Sequence, residues 1–202
     1  MIGVVDAKSG NIGSIVNALN FLKINHSIIK NKNDIKKFKK IILPGVGAFK
    51  NLKKNLIDLD FYDYIDEFLN NDENFFLGIC VGMQILLENG TEDGYERGFG
   101  IFPGKVINFN EIKKVKTPNI NWLKLNVAKN SYLLSNYSEE RFYFLHSYFC
   151  QLKDEEHTIS SANYRDINFP SIINKNNIFG IQFHPEKSNK QGLNILKNFS
   201  TI

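Results

Sequence analysis

Cys80 stands in Phe76-Leu77-Gly78-Ile79-Cys80-Val81-Gly82-Met83-Gln84, an apolar run that meets a glycine-flanked cysteine and opens an amphipathic stretch ending near Leu87. A sharp strand-to-helix turn needs small neighbours, so Gly78 and Gly82 would leave the Cys80 sulfur open at the carboxyl end of a strand. A sulfur there faces the unpaired N–H groups of a helix start, whose partial positive charge favours the thiolate that attacks carbonyl carbon. Alone, such a cysteine has a plainer reading as a small buried hydrophobe. The far end of the chain changes that reading. Gly180-Ile181-Gln182-Phe183-His184-Pro185-Glu186-Lys187-Ser188 is a β-type run stopped by proline, with His184 and Glu186 two residues apart. In an extended segment residues i and i+2 point the same way, so Glu186 can accept from one imidazole nitrogen while the other faces a thiol. Pro185 between them locks one backbone angle. Nucleophile, base and orienter are the three roles of thiol-based acyl transfer.

The elements that must position these groups follow from periodicity. Apolar strands at Ile2 to Val5, His26 to Ile29, Ile41 to Leu43 and Phe75 to Ile79 alternate with helical spacing at Ile12 to Leu22, around Leu52 to Leu56, and at Tyr62 to Leu69. Continuous apolar strands between amphipathic helices predict a parallel sheet covered on both faces, with ligands at the strands' carboxyl ends. The glycine turns after Leu43 and Ile79 lie there. The second half changes character. Lys105 to Phe109, Trp122 to Val127, Arg141 to Leu152, His157 to Tyr164, Ser171 to Asn174 and Ile178 to Phe183 are strand-like and only briefly interrupted, which predicts antiparallel pairing. A helix from Gly192 to Phe199 follows. The expected class is α/β, with a sheet parallel in the first half and antiparallel in the second, helices on both faces, and a single domain over residues 1–202.

Composition narrows the function classes. Hydrophobic residues at 43% and charged residues at 23% of 202 fit a soluble globule with one well-formed core. A net charge of +4 hints at nucleic acid, but the basic residues are scattered or paired with acids. Lys30 to Lys40 carries Asp34, Ile35 and Phe38, and reads as a short helix with a solvated basic face. Neither nucleic acid nor membrane is an expected partner. The two cysteines, Cys80 and Cys150, form no disulfide framework, and Cys150 ends an apolar, aromatic strand as a buried, inert thiol. There is neither a signal peptide nor an apolar run of about 18 residues, so the cytoplasm is the expected location. The four histidines lack ligand spacing, and His26 and His157 show no partner pattern. No metal or other cofactor is expected.

The Cys80 and His-Pro-Glu segments together resemble the class I (triad) glutamine amidotransferases. Pro44-Gly45-Val46-Gly47-Ala48-Phe49, Phe144-Leu145-His146-Ser147-Tyr148 and the Lys187-Ser188 extension look like the glutaminase subunits of imidazole glycerol phosphate synthases. Asp6-Ala7-Lys8-Ser9-Gly10-Asn11 is similar to their first strand and turn, so the resemblance spans the chain. It implies a flavodoxin-like amidotransferase fold and hydrolysis of the glutamine side-chain amide. Cys80 would attack the amide carbon, His184 would carry the proton to the leaving nitrogen, and Glu186 would orient His184. The resemblance places oxyanion donors at Val81 and in the turn at Val46 and Gly47. It places glutamine contacts at Gln84, Gly47, His146, Ser147 and Tyr148, although His146, alternating with aromatics, also reads as a packed core residue. Asn11, Trp122, Tyr143 and Lys187 match positions at the face that docks on a partner. That implied partner is a separate (β/α)8-barrel cyclase, which receives ammonia through its interior and acts on a ribulosyl-aminoimidazole-carboxamide nucleotide, linking histidine and purine synthesis.

One stretch departs from the family pattern: Pro118-Asn119-Ile120-Asn121-Trp122 stands where Pro-His-hydrophobic-Gly-Trp is usual. Asn121 can keep a glycine's backbone shape, whereas Asn119 cannot supply an imidazole's charge. Ser14 and Val81 also differ from the common residues, and all these changes are expected on the face that communicates with the partner. Three alternatives stay open. The first is a paralogous amidotransferase subunit feeding another synthase, such as one that amidinates a surface sugar. The second is a stand-alone hydrolase of γ-glutamyl substrates. The third is a catalytically silent regulatory subunit, against which the intact Cys80, His184 and Glu186 argue.

Overall fold

The computed structural model describes residues 1–138 and 140–202. The first half runs β1 (Ile2–Val5), α1 (Ile12–Phe21), β2 (His26–Ile29), β3 (Lys40–Gly45), α2 (Phe49–Asp58), α3 (Tyr62–Leu69), β4 (Phe75–Cys80), α4 (Val81–Gln84), β5 (Leu87–Gly90) and β6 (Glu96–Arg97). The second runs β7 (Phe102–Asn108), β8 (Asn119–Lys124), β9 (Asn126–Val127), β10 (Arg141–His146), β11 (Tyr148–Leu152), β12 (Thr158–Tyr164), β13 (Ile167–Lys175), β14 (Ile178–Ile181) and α5 (Asn189–Thr201). An eight-stranded sheet in the order β2-β1-β3-β4-β14-β13-β12-β9 forms the centre. A two-stranded sheet (β10-β8) and a four-stranded sheet (β11-β7-β5-β6) complete the architecture. The helices fall into two groups: α2 packs on α3 and α4, while α1 and α5 share contacts with the turn at Pro185–Lys187.

The half with parallel pairing follows the apolar runs. β1, β3 and β4 are almost wholly buried, and β2, β1, β3 and β4 pair in parallel. β14 departs from the expectation of antiparallel pairing throughout the second half, since it pairs in parallel with β4 and antiparallel with β13. The physical reason is visible in its composition. Ile178-Phe179-Gly180-Ile181 is buried at every position, which suits a strand covered on both faces. Its placement decides the site: β3, β4 and β14 run side by side in one direction, with Gly45 opposite Cys80 and Ile79 opposite Ile181. Their carboxyl ends therefore emerge along a single edge, bringing residues 45–47, 80–84 and 182–186 together.

Two further expectations are corrected. The stretch after Cys80 forms a single helical turn, Val81–Gln84, before β5 begins at Leu87. Ile85, Leu86 and Leu87 are fully buried, so the run has no polar face to support a longer surface helix. The strand expected over Arg141 to Leu152 breaks at Ser147, where the chain leaves the sheet shared with β8 and enters the one shared with β7. Behind this break lies an aromatic wall. Phe144 meets Phe169 and Phe183 edge-on, each at 5.6 Å, and Phe109 meets Phe169 at 5.4 Å.

Candidate active site

The turn that carries Cys80 is sterically specified. Cys80 has φ 55° and ψ −109°, a strained conformation for a residue with a side chain, at the point where β4 passes into α4. Its neighbours must be small: a Cβ on Gly78 would lie 2.2 Å from the Gly82 oxygen, and one on Gly82 would lie 2.0 Å from the Leu43 oxygen. The glycines hold the turn against β3. With a helix of only four residues, the macrodipole expected to act on the sulfur is small, and side chains must supply that electrostatic role.

His184 ends the strand direction of β14 in an extended conformation, and Glu186 lies in the 3-10 turn Pro185–Lys187 rather than on the expected strand. The pair still meets: His184 Nδ1 is 2.9 Å from Glu186 Oε1, with 2% and 0% of the side chains exposed. The His184 backbone is clamped at both ends. Its N–H donates to the Tyr143 oxygen at 2.9 Å, and its carbonyl accepts from Ser188 Oγ at 2.6 Å. Nδ1 being engaged by Glu186, Nε2 is the nitrogen left for the cavity that His184 and Cys80 both line. Burial pushes the imidazole down, but its hydrogen bonds to Cys80 and Glu186 outweigh this and raise it to about 10. At neutral pH the ring held by Glu186 is thus an imidazolium.

These groups open on a cavity of about 320 Å³ lined by Val46, Gly47, Cys80, Val81, Gln84, Glu92, Pro118, His146, Ser147, Tyr148 and His184, among others. All the side chains and turns expected to contact glutamine therefore meet at one cavity. Val81 opens α4, so its N–H has no partner within the helix. Gly47 is at φ 94°, a backbone shape that suits glycine. Val46 differs from expectation, because its N–H donates to the Ser9 carbonyl at 3.3 Å. That peptide must turn before Val46 can serve an oxyanion.

His146 takes the packed reading and lines the cavity as well. Its ring lies 5.1 Å from Phe169 and 5.2 Å from Phe109, and burial lowers its pKa to about 4, so it is neutral at neutral pH. Asn119, expected on a communicating face, is instead fully buried and 3.1 Å from His146 Nε2. Asn11, expected at the docking face, donates its side-chain amide to Glu186 Oε1. The other three proposed docking residues do cluster near the surface. Trp122 is 38% exposed with its ring 5.7 Å from that of Tyr143, and the exposed Lys187 ammonium lies 5.9 Å over the same ring. Cys150 is buried, and burial pushes its thiol far up, as suits an inert core residue.

Two residues lay outside the sequence-based set. Glu92, half-buried at the cavity wall, accepts from the Phe49 N–H at 2.8 Å, and burial raises its carboxyl above the usual range. It lies in an acidic loop, where nothing in the sequence separated it from its neighbours. Gln182, fully buried, places Nε2 3.6 Å from Cys80 Sγ. A polar residue two before His184 in an otherwise apolar run was a usable signal for it.

The glutamine amidotransferase class-I family model matches residues 3–202. The imidazole glycerol phosphate synthase subunit HisH of Leptospira borgpetersenii is 38% identical over 206 residues, covering 100% of both chains. The subunit HisH 1 of Campylobacter jejuni subsp. jejuni serotype O:23/36 (strain 81-176) is 37% identical over 203 residues, again covering 100% of both. Among solved structures, a glutamine amidotransferase crystal structure matches at TM-score 0.73 and 16% identity, covering 100% of this chain and 99% of that one. PurLQS from Thermotoga maritima matches at TM-score 0.75 and 17% identity, covering 99% and 97%, which speaks to the fold alone. With a family model matched from the first strand to the last residue and full-length relatives above a third identical, the chain belongs to the class-I glutamine amidotransferases.

Proposed function

We propose that this protein is the glutaminase subunit of an imidazole glycerol phosphate synthase, hydrolysing glutamine to glutamate and passing the ammonia to a separate cyclase in histidine biosynthesis. The observation that carries the chemistry is the Cys80–His184–Glu186 line at the floor of a cavity sized for an amino acid. The pathway rests on the similarity to HisH subunits over the full chain. This reading treats residues 1–202 as one amidotransferase domain working in the cytoplasm. Among the described residues no helix is long and apolar enough to cross a membrane.

Sulfur attacks the side-chain amide carbon, and His184 delivers its proton to the departing nitrogen, releasing ammonia. Water then enters, gives its proton to the same imidazole, and cleaves the γ-glutamyl thioester to glutamate. Glu186 holds the ring throughout. The backbone N–H groups of Val81 and Gly47 face the developing oxyanion, joined by Val46 once its peptide leaves Ser9. Glutamine arrives as a zwitterion, and the Glu92 carboxylate is a counter-charge for its ammonium group. Both Gln84 amide hydrogens are committed to Tyr148 O and Gln182 Oε1, so Gln84 offers the substrate its acceptor oxygen.

Ammonia released to water near neutral pH is mostly protonated and a poor nucleophile, so a partner must take it directly. The HisH relatives are named as subunits, which supports a partner; a (β/α)8-barrel cyclase docked over Trp122, Tyr143 and Lys187 is our reading of it. Glutamate release measured with and without that cyclase and the ribulosyl nucleotide tests the pathway. Strong stimulation by both supports it. Stimulation only by a different synthase assigns the same chemistry to another pathway.

A further inference from the structure

A continuous hydrogen-bond chain reaches the nucleophile, and its polarity is fixed by a single backbone carbonyl. Tyr148 O can only accept. It is 2.9 Å from Gln84 Nε2 and 2.9 Å from His146 Nδ1, so both of those nitrogens must carry the hydrogen they present. On one side this makes His146 Nε2 an acceptor, which Asn119 Nδ2 fills at 3.1 Å, while Asn119 Oδ1 accepts from Asn121 Nδ2 at 2.8 Å. On the other side, the second hydrogen of Gln84 Nε2 goes to Gln182 Oε1 at 3.1 Å. The Gln182 amide then has only one orientation. Its Nε2 points at Cys80 Sγ, 3.6 Å away.

We infer that the Gln182 side-chain amide is a functional part of the glutaminase site, donating to the Cys80 sulfur and holding its thiolate in line for attack. The inference rests on the glutaminase reading of this cavity and adds a donor to it. Gln182 is 0% exposed, so the bond is not diluted by water. A charged sulfur is a far better acceptor than a thiol, so the bond strengthens when the nucleophile is formed. With α4 a single turn, a side-chain donor set against the sulfur has a role to fill, and Gln182 Nε2 is placed there. Gln182 and His184 follow β14 two residues apart, and Gln182 Nε2 stands within hydrogen-bond distance of the sulfur. The Gln84 bond keeps the donor aimed while its own oxygen remains free for substrate.

The test uses the intact chain, alone and with its cyclase partner, comparing wild type with Gln182→Met, which keeps length but removes the donor, and Gln182→Glu, which sets a second acceptor against the sulfur. Thermal midpoints check folding. The expected result is a kcat lower by about tenfold to a hundredfold, with the Glu variant lower than the Met variant, and a KM for glutamine changed by less than about threefold. The ultraviolet absorbance of the Cys80 thiolate, taken as the difference from Cys80→Ala, is expected to fall in both variants. Wild-type kcat and an unchanged thiolate signal in folded variants overturn the role of Gln182. If instead a variant fails to fold, the other carries the same test. Absence of Cys80-dependent glutamate release in the wild type marks failure of the glutaminase reading itself, while the thiolate signal still reports on Gln182.

Discussion

His184 shows how a buried site sets its own protonation. Its side chain is 2% exposed, and burial alone would discharge it; hydrogen bonds to Cys80 and Glu186 instead hold it to about 10. Because this folded value exceeds the ordinary 6.5, its contribution to stability is complete below about 6.5 and is lost as pH rises toward 10. His146 works in the opposite sense. Burial lowers it to about 4, so the unfolded chain binds an extra proton between 6.5 and 4 and stability falls as pH drops through that window. Thermal midpoints across pH should therefore decline on both sides of neutrality. His146→Gln should flatten the acid side and His184→Gln the alkaline side; unchanged limbs in either variant contradict the assignment. Removing Glu186 leaves the imidazolium buried without its carboxylate, and Glu186→Ala should cost about 3 kcal/mol in denaturant unfolding. That His184 pairs with Glu186 and shares a cavity with Cys80 was readable from residue type and spacing. Gln182 was not identified, although the period-two rule applied to His184 and Glu186 also reaches back to it, and Asn11 was assigned to the docking face rather than to its hydrogen bond with Glu186.

At the scale of elements, the sequence resolved the strands and helices from β1 to β4 in kind and order, several of them nearly to the residue, because amphipathic periods of two kinds are hard to confuse over long stretches. It failed where apolar runs are short and buried on all sides. Val81 to Leu87 read as a helix and forms one turn followed by β5, and β14 read as antiparallel although its uninterrupted apolar run suits a parallel strand. Pairing between distant segments has no local signature, which also hid the change of sheet at Ser147. The glycines give a direct test of the nucleophile turn. Gly82→Ala drives a Cβ to 2.0 Å from the Leu43 oxygen and should destabilise by about 3 kcal/mol. Gly13→Ala, on the exposed face of α1 with nothing within 4 Å, should stabilise by about 0.5 to 1 kcal/mol. Equal effects in urea unfolding would remove the steric account of the turn.

For the whole molecule, the decisive fact is that β3, β4 and β14 share a direction, so three sequence segments far apart in the chain converge on one edge. Around that edge, Trp122, Tyr143 and Lys187 form a surface cluster, with the Tyr143 ring 6.4 Å from that of His184. A partner docked there would sit beside the point where ammonia is released. Trp122→Ala should weaken cyclase binding by more than about tenfold while leaving the partner-free rate of glutamine hydrolysis unchanged. Titration calorimetry that finds unaltered affinity would move the docking face elsewhere. The central claim is that Cys80 is the nucleophile of a glutaminase. Its most direct test is glutamate release from glutamine by the assembled complex carrying either wild-type Cys80 or Cys80→Ala. The account predicts that the substitution abolishes release while the subunits still associate, whereas release that persists in Cys80→Ala would contradict it.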